Sequence, residues 1–287
     1  MNHHFTVDVE EHFQVHALEP YVPRADWERL PSRVDASTRR LLDLLAGHGA
    51  TGTFFVLGWV AARLPALVHD VAAAGHEVAS HGWGHERVSS LTPEQFRASI
   101  RDSKAALEDA GGAPVLGYRA PSFSITPERA WAFDALLEEG YAYDSSVFPG
   151  RGHGWPADAR DPHRIAREAG TLHELPPATL RVAGRVFPAG GGAFLRLLPF
   201  GVVANALRQA ERRGVPGTFY IHPWELDPEQ PRFRVSPKTR LRHYGGLTRT
   251  VPRLRRLLGE FRFQPIARTL GLAASPHPAE APCPLPA

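Results

Sequence analysis

A single cysteine, Cys283, stands in a proline- and alanine-rich stretch near the end of the 287 residues. One thiol cannot close an internal disulfide, so the fold must hold through its core, and any metal site must draw on histidine and carboxylate. No apolar run reaches the roughly 20 residues of a membrane-spanning helix. Nor is there a lysine–arginine run: 33 basic residues face 30 acidic ones, and the formal charge of +3 offers no nucleic-acid patch. The first residues lack the basic and apolar regions of a secretory leader. These absences predict a cytoplasmic protein that binds no nucleic acid.

What is present is periodic. Hydrophobic residues make up 43% of the chain, enough to bury a sizeable core in one large domain or two small ones. Apolar runs at 5–9, 51–57, 77–80, 115–119, 141–144 and 217–221 read as strands. Helical spacing covers 35–46, 65–74, 92–110, 126–139, 200–213 and 247–261, several of these closed by glycine. Thr92-Pro93-Glu94-Gln95 joins an N-cap, a proline at the first helical position and a capping-box glutamine. Strand and helix alternate through the first 145 residues, which predicts parallel βα units. The stretch 148–194 is rich in Gly, Pro and Arg and reads as a loop-like insertion with one strand near 172–175. Residues 273–287 read as a disordered tail by composition. The expected organisation is one domain over 1–272, with a loop-rich insertion at 148–196, a C-terminal part at 197–272, and then the tail.

The chemistry-bearing residues fall just after strands. His81 and His85 follow the run at 77–80 in Ser80-His-Gly-Trp-Gly-His85. Asp8, Glu10 and Glu11 end the first run. Asp8 and Glu10 are two apart, so they share one side of a strand, and two such carboxylates repel unless a cation or proton separates them. Glu11 points the other way unless the strand has already ended, which favours Glu10 over Glu11. Two imidazoles and a carboxylate make a three-ligand metal site with a position left for water. Arg119, Asp144 and His222 also follow strands; in a βα barrel such positions converge on one face.

Taken in order, these stretches resemble the polysaccharide deacetylase (NodB-homology) family. Thr6-Val-Asp8-Val-Glu10 resembles its first motif, and Ser80-His81-Gly-Trp-Gly-His85 the second. Arg119-Ala-Pro121-Ser-Phe123 resembles the third, Tyr143-Asp144-Ser-Ser146 the fourth and Tyr220-Ile-His222 the fifth. A narrower likeness, to a branch linked with exosortase and exopolysaccharide loci, rests on Phe187 to Pro199, on His222-Pro-Trp-Glu225-Leu-Asp227-Pro and on Arg242-His243-Tyr244. Two departures stand out: a valine separates Asp8 from Glu10, and Ser122 takes a place that is aromatic in many members.

The resemblance implies a distorted (β/α) barrel and a metal-dependent hydrolase that removes N-acetyl groups from amino sugars of a glycan or its precursor. Glu10, His81 and His85 would hold the metal, zinc first, with cobalt, nickel or iron as alternatives. Asp8 would be the base, held by Arg119. His222 would be the acid, oriented and kept protonated by Asp144. The backbone N–H after Pro121 would face the oxyanion. Pro121, Ser122, Phe123, Trp83, Trp224 and Glu225 would line the substrate groove, with Trp155 a further stacking candidate. The implied partners are an N-acetylated glycan and membrane-bound polysaccharide synthesis machinery. Two other readings fit the residues: a small cyclic amide or ureide hydrolase on the same fold, and a non-catalytic glycan-binding member.

Overall fold

The computed structural model describes residues 1–150 and 153–272, so the tail expected at 273–287 lies outside the described residues. Five parallel strands are joined by helices: β1 (Asn2–Val9), β2 (Thr53–Val56), β3 (Glu77–Ser80), β4 (Gly117–Tyr118) and β5 (Tyr143–Asp144). Between them lie α1 (Val34–Ala46), α2 (Gly58–Arg63), α3 (Pro65–Ala73), α4 (Pro93–Gly111) and α5 (Trp131–Glu138). After β5 come two antiparallel hairpins, β6 (His163–Arg167) with β7 (Gly170–Glu174), and β8 (Thr179–Val182) with β9 (Arg185–Pro188). Then follow α6 (Gly192–Leu197), α7 (Gly201–Arg212), β10 (Thr218–Ile221), α8 (Pro237–Tyr244), α9 (Thr250–Glu260), β11 (Arg262–Gln264) and α10 (Ile266–Leu270).

The main sheet runs β10-β1-β2-β3-β4-β5-β7-β6, with β11 also on β1. It curls back on itself. Pro177 bridges to Thr218 and Gly191 to Tyr220, so the chain beyond β7 meets β10 and closes the ring expected of a distorted barrel.

Alternation along β1 sorts its side chains into two layers. Phe5, Val7 and Val9 pack with Phe54, Val56, Leu41 and Leu45 in the main core, beneath the helices. Burying each such side chain contributes about 1.5–3 kcal/mol. Thr6 and Asp8 take the other face, toward the interior, where Phe55, Ala79, Tyr143, Leu175 and Ile266 form a small second cluster. β1 begins earlier than expected, and His3 and His4 are wholly buried in it; His4 Nδ1 lies 3.0 Å from Thr218 Oγ1.

The capping box appears as read: Gln95 N–H donates to Thr92 Oγ1 at 3.3 Å and Thr92 N–H to Gln95 Oε1 at 2.9 Å. The reading of 148–194 as loop is corrected to two hairpins. Their strands are short and largely half-exposed, with arginines among few apolar residues, so no apolar run marks them. Ala183 and Gly184, both at positive φ (47° and 79°), form the two-residue turn of the second hairpin. α8 was also hidden by arginine-rich composition, although Ser236 caps it and Pro237 opens it. The helix expected at 247–261 divides into a 3-10 turn and α9. Among the described residues no helix is long and apolar enough to cross a membrane.

Candidate active site

A cleft of about 340 Å³ opens at the C-terminal ends of the parallel strands. Asp8 and Glu10 reach it from the end of β1, His81 and His85 from the loop after β3, and His222 from the end of β10. A larger cavity of about 550 Å³ lies between α1 and α9 and holds none of these residues.

Glu10, His81 and His85 offer ligand atoms that all lie within 4.8 Å of one another. His81 Nδ1 sits 2.8 Å from the carbonyl of Arg119, so it carries the proton and leaves Nε2 as the coordinating atom. Burial lowers the His81 pKa to about 4, which keeps the ring neutral as a ligand must be. Burial pushes Glu10 up, but the imidazoles of His85, His222 and His81 outweigh it and bring its carboxyl down to about 2. Glu10 Oε1 accepts from the Trp224 indole at 3.2 Å, whereas Oε2 is buried and accepts no hydrogen bond. It lies only 2.8 Å from His85 Nε2. A buried carboxylate oxygen of this kind beside two imidazoles suits a cation. Glu11 turns away, accepting from the Ser32 hydroxyl and, at 3.0 Å, from Arg33 N–H. Glu10 is therefore the acid that faces the site.

Arg119 does hold Asp8. It is fully buried and donates to Asp8 Oδ1 at 2.7 Å, to Thr6 Oγ1 at 2.8 Å and to Ser145 Oγ at 2.8 Å, with its plane over the Phe55 ring. Asp8 Oδ2 is left facing His222 Nε2 at 3.9 Å.

Asp144 does not orient His222. Glu225 does: its Oε1 lies 2.9 Å from His222 Nδ1, and its Oε2 accepts from Arg196 Nε at 2.7 Å, with both side chains 1% exposed. Burial disfavours the His222 cation, but its bond to Glu225 and the charges of Glu10, Glu225 and Asp8 outweigh this and raise its pKa to about 9. Gly192 makes room for the Glu225 carboxylate, which a Cβ there would strike. Asp144 instead registers against Glu174 on β7 and bonds to Ser146 Oγ at 2.6 Å. Burial pushes both acids up, Glu174 further because of the Asp144 charge, as in a pair sharing a proton. Ser146 Oγ in turn accepts from Ala120 N–H at 2.8 Å. Asp144 thus braces the turn carrying Pro121, Ser122 and Phe123.

That turn is bent by two successive left-handed residues, Ser122 (φ 56°) and Phe123 (φ 53°), both lining the cleft, with Pro121 buried behind them. Trp224 also lines it, but its faces are taken: it stacks on His243 at 4.2 Å and on His222 at 5.0 Å between ring centres. It supports Glu10 rather than offering a platform to a sugar. Trp83 packs against Gly58 and Trp155 donates to Ile125 O at 2.8 Å, and neither lines the cleft. Trp83 stands between the two cleft histidines and turns the other way, toward the start of α2. Arg196, Phe148, His153 and Tyr220 line the cleft and had no role in the sequence reading. Arg196 lay within the stretch 187–199 that carried the narrower likeness, a lone cation among apolar residues after a glycine run, but no role was attached to it.

Two family models match. Residues 27–136 match "Polysaccharide deacetylase", and residues 145–271 match a "Domain of unknown function (DUF3473)". A chitooligosaccharide deacetylase of Bradyrhizobium sp. (strain ANU 289) is 29% identical over 124 residues, 43% of this chain and 52% of that protein. A peptidoglycan-N-acetylglucosamine deacetylase of Bacillus cereus is 34% identical over 104 residues, 36% of this chain and 47% of its own length. The chain thus spans about half the length of the curated relatives it matches. Among solved structures, a putative polysaccharide deacetylase from Mycobacterium smegmatis aligns with TM-score 0.60 at 22% identity, over 93% of this chain and 88% of that one. A family 4 carbohydrate esterase from Streptomyces lividans aligns with TM-score 0.53 at 17% identity, over 96% and 98%. At these identities the likeness is one of fold.

Proposed function

We propose, on the match of residues 27–136 to the polysaccharide deacetylase family, that the chain is a metal-dependent hydrolase removing N-acetyl groups from amino sugars of a glycan. One observation carries the reading. Around a single cleft stand a cluster of Glu10, His81 and His85 able to take a cation, a carboxylate fixed by a buried arginine, and an imidazole held through Nδ1 by a buried glutamate.

A divalent metal on that cluster, for which two imidazoles and a carboxylate favour zinc over cobalt, nickel or iron, would polarise the amide carbonyl and acidify a bound water. Asp8 serves as base through Oδ2, because Oδ1 is occupied by Arg119. His222 serves as acid through Nε2, because Nδ1 is engaged by Glu225. Its proton goes to the amine nitrogen as the amide C–N bond breaks, so water and the acetamide become acetate and a free amino sugar. The Ser122 N–H, in the left-handed turn braced by Asp144 and Ser146, receives the developing oxyanion on this reading. Ser122, Phe123, Arg242 and His243 line the groove.

The setting we infer is exopolysaccharide biosynthesis, on the likeness of 187–199, 222–228 and 242–244 to that branch. The test is acetate release from N-acetylglucosamine oligomers by metal-stripped protein, by the same protein after zinc addition, and by Asp8→Asn. Release that needs metal and disappears in Asp8→Asn supports the reading; release unaffected by either sinks it.

A further inference from the structure

Between Gln230 and Glu260 the chain carries nine arginine or lysine residues and no acid, while the remainder holds more acids than bases. Five of the nine, Arg232, Arg234, Lys238, Arg240 and Arg242, fall on α8 and the segment leading into it, and all are exposed. Elsewhere arginines find carboxylates, as in Arg39–Asp35, Arg208–Glu260 and Arg213–Asp161; among the described residues these five do not. Such a concentration is costly in self-repulsion unless an anion answers it.

Apolar groups border the same helix. Leu241 is 64% exposed, the highest figure among the large hydrophobics, and Leu198 and Tyr21 are each 40% exposed. Leu197 and Leu241 both crowd Gly245, so the end of α6, with Leu198, abuts the end of α8. The Tyr21 hydroxyl accepts from Ser236 N–H at 3.2 Å, at the start of the helix. Arg242 also lines the cleft, so the surface begins at its mouth.

Cations interleaved with exposed leucine and tyrosine suit the headgroup layer of an anionic membrane. A soluble polyanion would use the cations and leave Leu241 and Leu198 without a purpose. We propose that residues 232–242 dock on an anionic phospholipid bilayer, setting the cleft mouth beside the headgroups. The docking itself does not depend on the deacetylase reading; only its use, to meet a membrane-carried glycan, rests on that reading.

The experiment is flotation of the full chain with phosphatidylcholine vesicles, with and without phosphatidylglycerol, at low and high salt. A variant carrying Arg234→Gln, Lys238→Gln and Arg240→Gln and a second with Leu241→Ser are run beside the wild type. Binding is expected only with phosphatidylglycerol, and salt should weaken it. Each cation at an anionic surface is worth about fivefold in partitioning, so the triple variant should bind about 100-fold less. Leu241→Ser should lose a smaller factor at any salt. Unchanged binding by the triple variant, or equal binding to neutral vesicles, overturns the proposal. So does capture by soluble hyaluronate in place of vesicles, which reassigns the surface to a glycan. Acetate release from soluble oligomers should be the same in the triple variant, so loss of docking and failure of the catalytic reading are separable.

Discussion

In the stretch 27–136 every functional side chain sits where a parallel strand ends: His81 and His85 after β3, Arg119 after β4. In the stretch 145–271 the functional side chains come from unlike places: His222 ends a strand, Glu225 lies in the 3-10 turn after it, and Arg196 points in from α6. Asp8 and Glu10 precede both. On the proposed reading, the first region contributes two of the cation's ligands and the arginine that braces the base; the second contributes the acid, its carboxylate and the arginine behind that. Neither holds a complete site. The region described only as a domain of unknown function shares a sheet with the other through β10 and β1, and it shares the cleft as well.

Breaking each side in turn gives the largest effects. Replacing His81 with Ala should abolish stoichiometric metal binding, checked by metal analysis, and lower kcat by about 10³-fold or more. Glu225→Gln should retain the metal and the fold but lower kcat by about 10²–10⁴-fold with little change in KM. Asp144→Asn should do less to kcat and show instead in stability. The reverse ranking would restore Asp144 as the partner of His222.

A smaller effect separates charge from packing. Arg196→Met leaves Glu225 buried and answered only by His222, and should cost about 3–5 kcal/mol in denaturant unfolding. Adding Glu225→Met should recover most of that stability without recovering activity.

The first region should also show a pH response away from the site. Burial lowers His76 to about 4, while an unfolded imidazole titrates near about 6.5. The unfolded chain binds the proton first, so this contribution is intact above about pH 6.5 and drains away as pH falls toward the folded value. Melting temperature should fall over that window, and His76→Asn should flatten the fall. Smallest of all, Ala183→Gly in the second region's hairpin relieves a positive φ of 47° and should stabilise by up to about 1 kcal/mol.

The same contrast explains what was legible. Asp8 and Glu10 share a strand face by simple alternation, and His81 and His85 follow a marked strand, so local spacing sufficed. Glu225 was visible as the residue three after His222, a capping spacing, yet Asp144 at the end of β5 looked as eligible. Choosing between them needs the position of β7 between β5 and the closing bridges, which no local pattern carries. Arg196 and Glu225 lie 29 positions apart and meet only through folding. The tryptophans could not be sorted for a related reason: a tryptophan after a strand looks the same whether its faces are free or, like those of Trp224, already stacked.

β1 pairs at its beginning with β11 and along its length with β10, so Trp224 donates to Glu10 across 214 positions. On the ribosome β1 is made more than 200 positions ahead of β10 and β11 and waits for both. Until residue 264 emerges, β1 lacks its last partner strand, and Glu10 is without its indole until residue 224 has been made. Contacts of such high sequence separation close slowly. The cleft is therefore assembled only after β10 and the turn carrying Trp224 and Glu225 have been made, and until then the ring around Glu10, His81 and His85 stays open.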